Sequence, residues 1–251
     1  MDEALRNRLW NMLRKYYWKI PTKGTYPFLE VLWHSHLKQP TDMLVGMWAD
    51  DYRKIREVYF SCKWFEIYDF IEFVANNFPH VELNEQFMDA CNSVLESELS
   101  AYRFVGGKIA QITTEEEISE IEEALATPLK PVRTHLKTAL DLLSDRKSPD
   151  YRNSIKESIS AVESICALIT GEKNATLGQC LKVVKDKVGL HPALEKSFSS
   201  LYGYTSSAEG IRHALLDEPS LSSEDAKFML VSCSAFVNYL ISKASKAGMK
   251  I

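Results

Sequence analysis

Arg212 and His213 stand side by side within the stretch Gly203 to Pro219, reading GYTSSAEGIRHALLDEP. A planar guanidinium binds two phosphate oxygens at once. An imidazole with an unperturbed pKa of about 6.5 gives or takes a proton near neutral pH. Nothing else in the chain brings such chemistry so close together. RNA cleavage needs a base for the ribose 2′-OH, a cation on the phosphate and an acid for the leaving 5′-oxygen. Arg212 suits the phosphate and His213 suits either proton transfer. Asp217 or Glu218 could orient an imidazole, though either would also repel RNA. In a structural reading of the same residues, Arg212 pairs with Glu157 or Glu163 and locks the loop onto a helical bundle. The pattern leaves both readings open.

The segments that must position this pair read as helices. Asp150 to Thr170 places Ile155, Ile159, Val162, Cys166 and Ile169 on one stripe at helical spacing. Asn153, Glu157, Ser160 and Ser164 line the opposite face, and Glu163 lies at the stripe's margin. A helix from about His191 to Tyr202 carries Pro192 in its first turn and is expected to break at Gly203. Ser222, with Asp225 three residues on, starts the last helix, from Ser223 to about Ala247. Its main stripe is Met229, Cys233, Phe236, Val237, Leu240 and Ala244, widened by Phe228, Val231 and Ile241.

Upstream, Asp2 to Ile20 is an amphipathic helix, and residues 28–38, 50–77, about 84–100 and about 132–143 are helical as well. The run over 50–77 carries Tyr59, Phe60, Trp64, Phe65, Tyr68, Phe70 and Phe73, too many aromatics for one face, so the helix is buried on several sides, the favoured reading, or offers a surface to a partner. Two β-prone runs flank Gly106-Gly107 in Tyr102–Thr113, the signature of a tight hairpin. Thr113 with Glu116, or Thr114 with Glu117, fits a capping box for the helix that follows. The acidic cluster from Glu115 to Glu123 reads as a solvated face. His34 and His36 point about 200° apart on a helix, without partners at ligand spacing.

Thr127-Pro128-Leu129-Lys130-Pro131 is the best boundary, giving domains 1–127 and 128–251. Charge changes sign there. Residues 1–127 hold 13 Lys/Arg against 21 Asp/Glu, a net −8, and residues 128–251 hold 17 against 13, a net +4. The whole chain is thus no general magnet for nucleic acid, while its C-terminal half could bind RNA locally. Five cysteines without a C-x-x-C spacing read as free thiols. No apolar run approaches the roughly 18–20 residues that cross a bilayer, and no signal peptide opens the chain. The expectation is a cytoplasmic, mainly α protein of two helical domains with one short β-hairpin.

Residues 150–181, 191–215 and 222–241 resemble a HEPN domain of the kind found in bacterial abortive-infection proteins. LRNRLWNML at 5–13, YDFIEFVANNF at 68–78 and YRFVGGKIAQITTEEEISEIEEAL at 102–125 are similar to the N-terminal domain of AbiJ-type phage-defence proteins. The resemblance implies a C-terminal HEPN-like helical bundle that forms a homodimer and, in active members, cuts RNA without a metal or cofactor. Its motif is an Arg, a polar residue, three to five further residues, then a His. Arg212 and His213 match its start. Positions 217–219, where the closing His belongs, are Asp217, Glu218 and Pro219. The resemblance makes Arg212 and His213 the catalytic candidates; Asn153, Glu157, Glu163 and Asp217 are supporting candidates from their positions, although a polar line such as Asn153 and Glu157 is usually the wet side of a helix. The implied function is a phage-defence effector with endoribonuclease activity, its acidic, aromatic-rich N-terminal domain serving as a sensor, a surface for a regulatory protein partner or an oligomerisation surface. The alternative is a non-catalytic HEPN-like module that binds RNA, a nucleotide or a protein.

Overall fold

Asp2, Asp150 and Ser222 each place a side-chain oxygen on a backbone N–H three residues on, and each opens a helix. They set the frame of a computed structural model that describes residues 1–19, 24–172, 177–206 and 221–251. Among the described residues the chain is helical apart from one hairpin, and it forms two compact units, Met1–Thr113 and Thr114–Ile251.

In the first unit, α1 (Glu3–Leu13) buries Leu5, Leu9 and Leu13 and widens into a π-helical turn over Arg14–Trp18. A second π turn, Leu32–His36, extends α2 (Thr25–Val31). Each contains two consecutive large side chains in the core, Tyr17-Trp18 and Leu32-Trp33. The wider turn changes the angular step where both neighbours must face inward. The helix of α2 begins at Thr25 rather than at 28, because Pro27 sits in a first turn whose N–H groups need no intrahelical acceptor.

The expected single helix over 50–77 is two, α3 (Trp48–Ser61) and α4 (Trp64–Asn77). Arg6 ends the first: Nη1 donates to the Phe60 carbonyl at 2.8 Å and Nη2 to that of Cys62 at 3.0 Å. Glu66 starts the second by accepting the Lys63 N–H at 2.7 Å. The break turns the aromatics onto different faces, so Tyr59, Tyr68 and Phe70 are buried while Trp64 stays exposed. His36 stacks on Phe73 with ring centroids 4.8 Å apart.

Behind α5 (Val81–Ser97), strand β1 (Arg103–Val105) pairs antiparallel with β2 (Lys108–Ala110) through Gly106 and Gly107, both at positive φ. Helical side chains seal this small sheet. Asn92 accepts the Phe104 N–H at 2.6 Å and donates to its carbonyl at 3.1 Å, like a missing strand. On the other strand, Glu72 accepts the Ile109 N–H at 2.9 Å and Asn76 donates to the Gly107 carbonyl at 2.7 Å.

The second unit is α6 (Glu115–Leu125), α7 (Lys130–Ser144), α8 (Tyr151–Thr170), α9 (Leu177–Val188), α10 (Pro192–Ser206) and α11 (Ser223–Lys246). Helix α8 is central, packed against α7, α9, α10 and α11. All five residues of its expected stripe are buried, as are Ser154 and Ser158. Ser154 Oγ donates to the Ala139 carbonyl of α7 at 2.8 Å, which satisfies a hydroxyl in a dry contact.

Several expectations change here. Thr114 precedes α6 but makes no side-chain capping bond. The acidic cluster is not all solvated: Glu117 pairs with Lys227, and Glu120 accepts from Asn238 at 2.9 Å, both on α11. Helix α10 continues through Gly203 to Ser206. Phe228 is exposed rather than part of the core stripe. Helix α11 is long and apolar enough to cross a membrane by length and composition, although it lacks a continuous apolar run. Its buried face packs on α6, α7, α8 and α9.

The five cysteines are free thiols, Cys62 half-buried and the other four buried. Burial pushes the Cys91 and Cys166 thiols well up and the Cys233 thiol up to about 12, keeping them protonated at neutral pH. A maleimide probe read by peptide mass spectrometry is therefore expected to label Cys62 first in the folded protein. Cys91, Cys166 and Cys233 should label only on unfolding. Rapid labelling of any of these three in the native state would contradict the packing.

Candidate functional site

Asp150, at the head of α8, accepts the Asn153 N–H at 2.9 Å through Oδ1 and the Asn153 carboxamide at 2.7 Å through Oδ2. Asn153 thus closes the first helical turn. One turn further, on the same face, Glu157 Oε2 lies 2.7 Å from His135 Nδ1 of α7. A carboxylate only accepts, so it is the Nδ1–H of His135 that donates in this contact. Both side chains are partly accessible, at 35% for His135 and 23% for Glu157. An imidazole oriented through Nδ1 and open to solvent can take part in proton transfer.

Glu163 is half-buried, six residues beyond Glu157 and hence about 120° away around the helix. The structure therefore brings Asn153 and Glu157 to one face of α8 and leaves Glu163 on another. Arg212, His213 and Asp217 lie outside the described residues. Sequence reasoning assigned Glu157 to Arg212 or to a catalytic supporting role and passed over His135. No local signal marks His135, because its partner is 22 residues away on the neighbouring helix. The described residues hold no cluster of three or more His, Cys, Asp or Glu arranged for a metal ion.

The N-terminal unit, with its aromatic core, successive helices α3 and α4 and sealed hairpin, falls within a region matched by a family model. That model is AbiJ N-terminal domain 4, and it matches residues 1–127. The chain belongs to this family. AbiJ proteins are of the abortive-infection class, which acts in phage defence. Comparison with curated proteins gives no match, and comparison with solved structures gives none either. The AbiJ match includes α6, whereas contacts group α6 with α7 and α11 in the second unit. The expected boundary at 127 and the compact division at Thr113 thus differ by this helix.

Proposed function

We propose that this AbiJ-family chain is a phage-defence effector whose C-terminal bundle is a HEPN-type, metal-independent endoribonuclease. The observation that carries the nuclease reading is sequence placement: Arg212-His213 falls in the connection between α10 and α11, on a bundle whose central helix α8 is otherwise well packed. Arg212 binds the scissile phosphate. His213 takes the proton from the ribose 2′-OH, O2′ attacks phosphorus, and the bond to O5′ breaks with a proton delivered to the leaving oxygen. The products are a 2′,3′-cyclic phosphate and a 5′-hydroxyl. A cytoplasmic homodimer would set two Arg212-His213 pairs around one groove and supply the second proton carrier.

The test is incubation of purified protein with total RNA in EDTA, beside Arg212→Ala and His213→Ala. Cyclic-phosphate ends are expected from the wild type. Arg212→Ala should lose about a hundredfold in rate, as when one charge-stabilising donor is removed, with unchanged melting. Intact RNA from a folded wild-type dimer would overturn the nuclease reading.

A second reading, a non-catalytic RNA- or protein-binding module, draws on the site itself. Asn153 is held by Asp150 and Glu157 by His135, so two of the expected supporting residues already have structural partners. Positions 217–219 also lack an imidazole. This reading predicts salt-dependent RNA binding that falls in Arg212→Ala without cleavage.

A further inference from the structure

Helix α11 carries more apolar surface than its bundle uses. One side is buried against the neighbouring helices, yet only 44% of its most apolar 18-residue stretch is buried. Two neighbours bound the remaining face. On one edge α6 is held by Lys227 to Glu117 and Asn238 to Glu120. On the other edge the Phe198 ring of α10 stacks on Phe236. Between these edges lie Phe228, Val231, Ala235 and Tyr239, at i, i+3, i+7 and i+11 on one helical face. Phe228 is 58% exposed and the other three are partly exposed. An open apolar strip of this kind marks an interaction surface.

The strip reads the same from either end. Its positions, 224, 228, 231, 235, 239, 242 and 246, are spaced 4, 3, 4, 4, 3 and 4 residues apart, a palindrome centred on Ala235. A second copy laid antiparallel about a two-fold axis at Ala235 brings every position onto a counterpart. Ala235 then meets its own equivalent, a contact small enough for two helices to approach closely. Val231 meets Tyr239, Phe228 covers Ser242, and Glu224 faces Lys246. A crossing of about 20° keeps the helix ends within reach of these long side chains. Glu224 and Lys246 are both exposed, and neither forms an ion pair among the described residues. An acid in the first turn and a base in the last also suit the helix dipole, but that does not account for the uncharged strip between them. Nucleic acid would need a cationic face instead.

We propose that this face of α11 is a homodimer interface, with two copies crossing antiparallel at Ala235 and Glu224 of each paired with Lys246 of the partner subunit. It gives the homodimer of the nuclease reading a defined surface, and it does not rest on that reading.

Sedimentation equilibrium of the full chain over about 1–100 μM is expected to show a dimer. Ala235→Arg sets two cations on the axis at a position outside the core. It should raise the dimer Kd at least about a hundredfold with an unchanged far-UV spectrum. Glu224→Lys or Lys246→Glu alone should raise it about tenfold at low salt. The double variant exchanges the two charges and should recover the wild-type value. That recovery separates the interface from a helix-dipole effect, since the double variant suits the dipole least. A monomer throughout the range would overturn the proposal, as would a dimer indifferent to Ala235→Arg or a double variant as weak as the single ones. A monomer that floats with neutral phosphatidylcholine vesicles would give the strip to lipid instead. RNA cleavage by a monomer would overturn the interface and leave the nuclease reading standing.

Discussion

Trp10→Ala is expected to destabilise the N-terminal unit by about 3–5 kcal/mol, the range for removing a large buried aromatic. Trp10 is 5% exposed and is the hub of the core. Its ring centroid lies 5.0 Å from Trp18, 5.7 Å from Tyr52, 5.0 Å from Tyr59 and 5.6 Å from Phe60. Those rings come from α1, its π turn and α3, so the cavity left by alanine would open where three segments meet. Against a domain stability of about 5–15 kcal/mol, the loss is a large fraction. All five tryptophans lie in this unit, so intrinsic fluorescence follows its unfolding while far-UV circular dichroism follows both units. The urea midpoint by fluorescence should fall steeply. Trp10→Phe, which keeps a ring in the site, should fall less. A loss below about 1 kcal/mol would show that the ring cluster is not the core's centre.

Arg6→Met is expected to cost about 3 kcal/mol, although Arg6 is only part-buried and its alkyl stem is replaced by one of similar size. The guanidinium fork donates to the carbonyls of Phe60 and Cys62, and the Tyr59 hydroxyl donates back to the Arg6 carbonyl at 3.1 Å. Carbonyls at a helix C-terminus lack intrahelical donors and carry the negative end of the helix dipole, so a cation there supplies both needs. Arg6→Lys should recover only part of the loss, because an ammonium cannot reproduce the fork. The fluorescence-detected midpoint checks both variants. If Lys restored full stability, charge alone would account for the contact.

Asp150 and Ser222 show what a local pattern reveals. An oxygen-bearing residue followed three positions on by the N–H it accepts is a helix start set by neighbours in sequence, and both helices begin there. Gly106-Gly107 is equally legible, since positive φ at both residues is what the turn demands. Thr114 shows the limit of the same pattern: it occupies the residue before α6, yet its hydroxyl makes no cap bond. At the candidate site, Asn153 and Glu157 were visible as one polar face of α8, but their partners were only partly so. Asp150 is three residues from Asn153, whereas His135 reaches Glu157 from another helix.

The sequence by itself determined the helical class, the AbiJ-type N-terminal region, the hairpin and the buried stripe of α8. Each rests on periodicity, turn chemistry or family pattern within a short span. Only the tertiary structure decided that 50–77 is two helices, because the donor that ends α3 is Arg6, 54 residues before Phe60. It also decided that Glu117 and Glu120 engage α11 rather than water, and that Glu157 belongs to His135. Backbone propensity acts between neighbours. An orphan carbonyl or a partly buried carboxylate takes whichever donor the packed chain brings within about 3 Å, and that choice is not written near it in the sequence.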